Sequence, residues 1–403
     1  MAKRAAIEQA TPVPFEPNLE RATELVTNLM AIPGRSGEEE LVAEYVRGHL
    51  EAAGLPRDAV QVDNAHTKTP LPGNVGNVIL KLPGTIKGPR RMLSAHMDTV
   101  PLCVGSKPRR QGDFIRSANP QTGLGADDRA GVAIVLNTAL EILERKLPYP
   151  PLTFCWLIQE EVGLHGARHV QQSLLGKPAF CFNFDGGSAA KVTLGATGGY
   201  RLTIDVRGIA AHAGVAPEQG VNAITIASLA IADLQRNGWL GLVEKGSQRG
   251  TSNIGAIHGG EATNVVNDHV QLRAEARGHQ PKFRERIVRE IEKAFKNAVK
   301  EVKNVFKKGG GVTFDGRLDY EAFRIDEDEP SAQLALEAVR SVDREPEVVI
   351  SNGGLDANWL SAHGIPTISL GTGQMSIHTV DEALNLPEFH TGCRIALRLA
   401  TGT

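Results

Sequence analysis

Short, near-continuous apolar runs recurring between helical stretches constrain this chain more than any other feature of its sequence. Val75–Leu82, Arg91–Ala95, Leu152–Ile158, Ala179–Phe184, Glu347–Ile350 and Thr367–Leu370 have strand length and few polar interruptions. A strand apolar on both faces must be covered on both faces. Such runs alternating with helices therefore specify an α/β layer, a mixed and largely buried sheet with helices on either side. Ser36, with Glu39 three residues on, matches a capping box opening an amphipathic helix through about Leu50.

Between about Gly198 and Tyr320 the rhythm changes. A strand at Tyr200–Val206 alternates apolar and polar residues, and a helix follows over Asn222–Leu234. Strands at Ser252–Ile257 and Val265–Arg277 come next, then a charged helix from Pro281 to about Phe306 and a strand at Val312–Tyr320. The order βαββαβ is that of a ferredoxin-like α+β unit. Residues 198–320 thus read as an inserted domain, and 1–197 with 321–403 as the larger domain that receives it. Residues 1 to about 17 are polar and Pro-rich and read as a mobile arm.

Composition excludes several classes of function. Forty-four basic residues against 46 acidic ones leave a formal charge of −2, so no global basic field exists to hold a nucleic-acid backbone. The basic stretch at 282–308 reads as a solvated helix face. Cys103, Cys155, Cys181 and Cys393 form no Cys-x-x-Cys pair, which fits buried free thiols in a reducing compartment. Behind Lys3 and Arg4 stand Glu8 and three prolines in place of an apolar signal core. The longest apolar stretch, Val132 to Leu143, is broken by Asn137, Thr138 and Glu141 and is too short to span a bilayer. The expectation is a cytoplasmic protein without a membrane partner.

Acids and histidines fall where the strands end. Arg91–Ala95 leads into His96-Met-Asp98, Leu152–Ile158 into Gln-Glu160-Glu161, and Ala179–Phe184 into Asp185-Gly-Gly. Thr367–Leu370 leads through a glycine-rich loop to His378, and Asp127 precedes the apolar helix Ala130–Glu144, where a carboxylate suits the positive helix end. Each piece alone has an ordinary explanation as a turn, an N-cap or a surface histidine. Together they place five metal-competent groups at one sheet edge, where α/β sheets bind ligands. Imidazoles and carboxylates without thiolate suit catalytic zinc and leave room for cobalt or manganese. His165 and His169 share one helix face, but the first lacks the following Glu of a zincin helix, so they read as helix surface or support.

These motifs resemble the zinc-dependent exopeptidases that include peptidase T, carboxypeptidase G and succinyl-diaminopimelate desuccinylase. The order is shared: Ser-Ala-His96-Met-Asp98-Thr-Val, Gly-Ala-Asp127-Asp-Arg-Ala-Gly, Gln-Glu160-Glu161-Val-Gly, Phe-Asp185-Gly-Gly and Ile-His378-Thr. The resemblance covers nearly the whole chain and is closest to peptidase T-like proteins. It implies a zinc-exopeptidase-like fold with a lid and dimerisation domain, two zinc ions per subunit, and a short-peptide substrate. By that resemblance His96 and Asp185 bind one metal, Glu161 and His378 the other, Asp127 bridges them, and the Asp127–Asp128 peptide bond is cis. Asp98 orients His96, and Glu160 is the general base.

In the inserted domain, His212 resembles the histidine that reaches the partner subunit's site in a homodimer. Asn264 and Arg277 resemble substrate-contacting positions, although a strand-end surface charge would explain Arg277 equally well. Asn352 stands where peptidase T carries an arginine that grips the peptide C-terminus, so the resemblance implies a tripeptide aminopeptidase-like enzyme without implying strict tripeptide selectivity. A carboxypeptidase or an N-acyl amino-acid deacylase would use the same metal residues. A metal-stabilised binding protein would not need Glu160. No phosphate-cradling glycine motif is present for a nucleotide.

Overall fold

A computed structural model describes residues 16–402, and most of the expected N-terminal arm lies outside them. The chain forms two compact units. One holds the described residues up to Leu194 with Ile325–Val349 and those from Leu355 on; the other holds Gly195–Arg324 and Ile350–Gly354.

The first unit is built on a mixed sheet. Its strands run in the order Val60–Val62, Val78–Leu82, Leu152–Leu157, Arg91–His96, Phe180–Phe184, Thr367–Leu370 and Lys191–Ala196. The middle four, from Leu152–Leu157 to Thr367–Leu370, are mutually parallel, with Leu93 opposite both Phe154 and Phe182. Their carboxyl ends therefore share one edge. Alternate side chains face opposite layers. Ile79, Met92, Cys155, Leu157 and Cys181 pack with Ala167, Val170, Leu175, Leu360 and Ile365. On the other side Trp156 donates its indole N–H to the Val132 carbonyl at 3.3 Å. Phe154, Phe182 and Phe184 are fully buried, each contributing about 1.5–3 kcal/mol of transfer free energy.

The helix Ala126–Arg145 is apolar nearly all round because it lies inside. Two of its buried polar groups are met from one neighbour: Arg21 reaches Asn137 at 2.8 Å and also pairs with Glu141. Gly131 is required where this helix meets the sheet, since a Cβ there would sit 2.0 Å from the Phe184 carbonyl oxygen. All four cysteines are free and buried. Among the described residues no helix is long and apolar enough to cross a membrane.

The capping box at Ser36 and Glu39 is not formed. The helix runs Glu40–Ala52 with no side-chain cap. Both side chains turn inward instead: Ser36 donates to Asp98, and Glu39 accepts from the N–H groups of Gly37 and Gln159. The distant carboxylate of Asp98 and the distant N–H of Gln159 out-compete the local cap.

The second unit is an antiparallel sheet in the order Gly241–Lys245, Gln248–His258, His269–Gly278, Gly198–Arg207 and Gly311–Tyr320. Leaving aside the first strand, this is the ferredoxin-like arrangement. The additional edge strand, with only Leu242 and Val243 apolar, gives too little alternation to be read from sequence. Leu202, Ile204, Val206, Val270 and Leu272 form one face with the helices Ala223–Arg236 and Pro281–Glu301. The second helix stops at Glu301 and does not continue to Phe306, because Asn304 Oδ1 accepts the N–H groups of Phe306 and Lys308 and turns the chain. The other face of the sheet is mostly polar, with Ala256 and the exposed edge residue Leu242 among its apolar positions.

Candidate metal centre

The shared edge of the four parallel strands carries the acids and imidazoles. His96 is the last residue of its strand, Asp185 follows Phe184 directly, and Glu160 and Glu161 lie three and four residues beyond Leu157. His378 arrives differently. It sits in the left-handed backbone region on the loop between two short paired strands, Gln374–Met375 and Ala383–Asn385. Asp127 stands at the start of its helix, and the peptide bond to Asp128 is cis.

These residues come together in two groups. His96, Asp127 and Asp185 each offer a ligand atom within 4.8 Å of the others, and so do Asp127, Glu161 and His378. Asp127 belongs to both. Its Oδ1 lies 3.2 Å from His96 Nε2 and its Oδ2 3.2 Å from His378 Nε2, while His378 is 3.0 Å from Glu161.

Asp98 is fully buried behind His96. Its Oδ1 is 3.4 Å from His96 Nδ1, although the backbone carbonyl of Asp98 is nearer at 3.1 Å. The same carboxylate accepts the N–H of Glu160 at 2.9 Å and of Glu161 at 3.2 Å, and Ser36 Oγ at 2.6 Å. Asp98 thus fixes both the histidine and the Glu160–Glu161 turn.

Burial and crowded like charges set the protonation of the site. Burial pushes Asp185 up to about 7, helped by the charge of Asp127. Burial likewise raises Glu160 and Glu161. At Asp127 burial opposes ionisation, yet hydrogen bonds from His378 and His96 hold it below the usual carboxylate range. Hydrogen bonds to Asp127 and Glu161 lift His378 to about 10, and those to Asp127 and Asp98 raise His96 against its burial. Two imidazoles and three carboxylates, crowded together and lacking any thiolate, are a donor set that divalent cations such as zinc satisfy.

A pH dependence follows. In the metal-free chain His378 is protonated at pH 7, whereas a ligand imidazole must offer its lone pair. Were His378 to ligate a cation, binding would expel at least one proton and affinity would rise with pH toward 10. An indicator dye added with zinc to the chelated protein near pH 8 reads that release. Because the folded pKa lies above the ordinary 6.5, the stabilisation it gives the metal-free chain is complete below that value. It fades as pH rises through 10.

Four further residues have no isolated sequence signature. Glu382 accepts the N–H groups of Leu124, Gly125 and Asp127 at 2.7, 2.7 and 3.1 Å, tying the His378 segment to the Asp127 loop. Gln374 donates to Asp185 at 3.2 Å and Asp127 at 3.4 Å. Glu39 lies buried near Asp98 and is pushed up to about 7, by burial first and then by that charge. Asp356 is fully buried with neither oxygen hydrogen-bonded, and burial pushes its carboxyl up to about 8. The glycine-rich setting of Gln374 and the short distance from His378 to Glu382 were the available clues.

In the second unit His212 is exposed, and its Nδ1 accepts the N–H groups of Gly214 and Val215, both at 3.1 Å. The neutral ring therefore carries its proton on Nε2. Asn264 lies on the neighbouring segment, its carbonyl accepting the Ala213 N–H at 2.9 Å. Arg277 is half-buried with its fork closed on Glu275 by two 3.0 Å bonds, and Asn352 contacts His279 at 3.1 Å.

Comparison with known proteins agrees with this architecture. A Bacillus subtilis protein, YqjE, is 30% identical over 372 residues, covering 92% of this chain and 95% of its own. Peptidase T of Escherichia coli K12 is 23% identical, with 94% and 95% covered. A tripeptidase of Staphylococcus aureus superposes with a TM-score of 0.86 at 30% identity over 96% of this chain and 99% of that one. The aminopeptidase PepT of Bacillus cereus gives 0.83 at the same identity and coverage. The sequence pattern of peptidase family M20/M25/M40 matches residues 92–402. With that match running through every element that carries the clustered acids and imidazoles, the chain belongs to this family and is a metallopeptidase.

Proposed function

We propose that this enzyme is a peptidase T-like aminopeptidase acting on short peptides in the cytoplasm, with two divalent cations, zinc foremost, at the strand edge. The observation that carries the reading is the carboxylate of Asp127 shared between two ligand triads, with Glu160 beside them and outside both. Near-complete coverage of a tripeptidase and an aminopeptidase at 30% identity supports the substrate class.

His96 and Asp185 would hold one cation, Glu161 and His378 the other, and Asp127 both. Bound there, such cations supply Lewis-acid polarisation of the scissile carbonyl and lower the pKa of the attacking water. Glu160 takes the proton of that water and delivers it to the leaving amine as the C–N bond breaks. Asp98 keeps the His96 ring oriented. His212 of the second subunit donates Nε2–H to the carbonyl oxygen as charge develops on it. Asn264, Arg277 and Asn352 would contact the peptide.

A peptide panel, free and N-acetylated, assayed after chelation and readdition of zinc, cobalt or manganese, tests this. Metal-restored release of residues from free peptides alone is expected. Cleavage of acetylated peptides alone makes the enzyme a deacylase, and no release with any metal removes the catalytic reading. The His212 role requires a dimer. An active species sedimenting at the mass of one chain would end it.

A further inference from the structure

Arg129 is a fully buried cation that no role assigned so far uses. It stands near the head of the helix Ala126–Arg145, one residue beyond the cis bond, and belongs to neither ligand triad. Only 1% of it is exposed. Its Nη2 donates to the Gly34 carbonyl at 3.0 Å, while Nε and Nη1 have no hydrogen-bond partner. An arginine keeps its charge in a protein, and a charge taken wholly out of water must be balanced by others close by. Burial pulls its pKa down, and the charge of Asp98 first, then that of Glu39, opposes the fall. Both acids are themselves fully buried.

One short segment links the three groups. The Gly34 carbonyl that takes Nη2 also accepts the N–H of Thr99, the neighbour of Asp98, at 3.2 Å. A Cβ at Gly34 would sit 2.6 Å from Nη2, so this close approach needs glycine. Ser36 Oγ donates to Asp98 at 2.6 Å, and Glu39 Oε1 accepts the N–H groups of Gly37 and Gln159, both at 3.0 Å. Residues 34–39 therefore meet Arg129 at one end and the chain just before Glu160 at the other. Asp98, in the middle, holds the N–H groups of Glu160 and Glu161.

The arrangement is short of positive charge. The charge of Asp98 works against ionisation of Glu39, and Glu39 Oε2 is buried without a hydrogen bond. Like charges in so dry a setting repel strongly. Without a cation beside them the two acids would drive residues 34–39 away from Asp98.

We propose that Arg129 is a positioning residue: its charge holds Asp98 and Glu39 together, and through them and residues 34–39 it sets the Glu160–Glu161 turn beside His96. The inference rests on the placement of the cations proposed above and is independent of which amide bond the enzyme cuts.

Zinc affinity of the full-length protein, measured at one pH by competition with a chromophoric chelator, reads this role without turnover. Arg129→Met should bind zinc about 10–100-fold more weakly, the range for losing a group that orients a ligand. The sign is diagnostic: removing a positive charge that did nothing but repel the metal would tighten binding. Adding Glu39→Gln to Arg129→Met should restore about tenfold, a usual coupling between interacting groups. Glutamine keeps the acceptor oxygen and removes the second charge. An arginine that only filled space would give no such rescue. With zinc saturating, Arg129→Met should lower kcat on a peptide more than it raises KM, because the displaced group is Glu160. Should Arg129→Met fail to fold, Arg129→Lys carries the test, since it keeps the charge and should stay within about tenfold of the parent. Unchanged or tighter zinc in Arg129→Met, no rescue by Glu39→Gln, or a larger loss in a folded Arg129→Lys overturns the inference. The expected order of zinc affinities with no peptide cleaved strikes the aminopeptidase reading alone.

Discussion

Glu160→Gln is expected to lower peptide turnover by about 10²–10⁴, the usual contribution of a positioned general base, while leaving the metal content unchanged. Glutamine is isosteric and keeps the backbone N–H bond to Asp98, 2.9 Å long in the native chain. Its amide cannot take up a proton. Glu160 belongs to neither ligand triad, so metal retention and turnover separate its role from that of Glu161 one residue later. Burial raises its pKa first, His96 opposes, and Asp185, Asp356 and Glu161 add to the rise when ionised. Near-normal turnover in a variant with full metal content would remove Glu160 from proton transfer.

Asp127→Ala should do more, and differently. This carboxylate meets His96 with one oxygen and His378 with the other, both at 3.2 Å. Losing an outer-shell partner of a metal ligand weakens metal binding by about 10–100-fold. Losing a ligand common to two sites should cost at least that at each, about 10²–10⁴ combined. Metal analysis after gel filtration should find less than one equivalent per chain, and activity should fall below that of Glu160→Gln at any ordinary zinc concentration. Two equivalents retained would mean that Asp127 does not bridge. Since the helix behind it is held by its own buried face, far-ultraviolet circular dichroism should change little.

Local chemistry made the metal residues legible. An imidazole or carboxylate directly after an apolar strand is a pattern visible in one dimension, and parallel strands bring their ends to one edge. The supporting residues were not visible in that way. Ser36 and Glu39 satisfy the local pattern of a helix cap, and nothing within ten residues of them shows that Asp98 and Gln159 lie within reach. Glu382 and Gln374 act on backbone and side-chain atoms about 190 to 260 positions away. Asp356 was hidden because burial without partners is a property of packing.

Apolar periodicity alone determined the α/β class of the first unit, the ferredoxin-like order of the second and, to within a residue, the ends of the strands that lead to His96, Glu160 and Asp185, since strand and helix periods are written residue by residue. Only the tertiary structure decided the rest: that four strands run parallel side by side, that the capping box is surrendered to Asp98, that Arg277 is closed by Glu275, and that Arg129 is buried with Asp98 and Glu39. Each of these depends on a competition between partners distant in sequence, settled by distance and dielectric surroundings that exist only after the chain has folded.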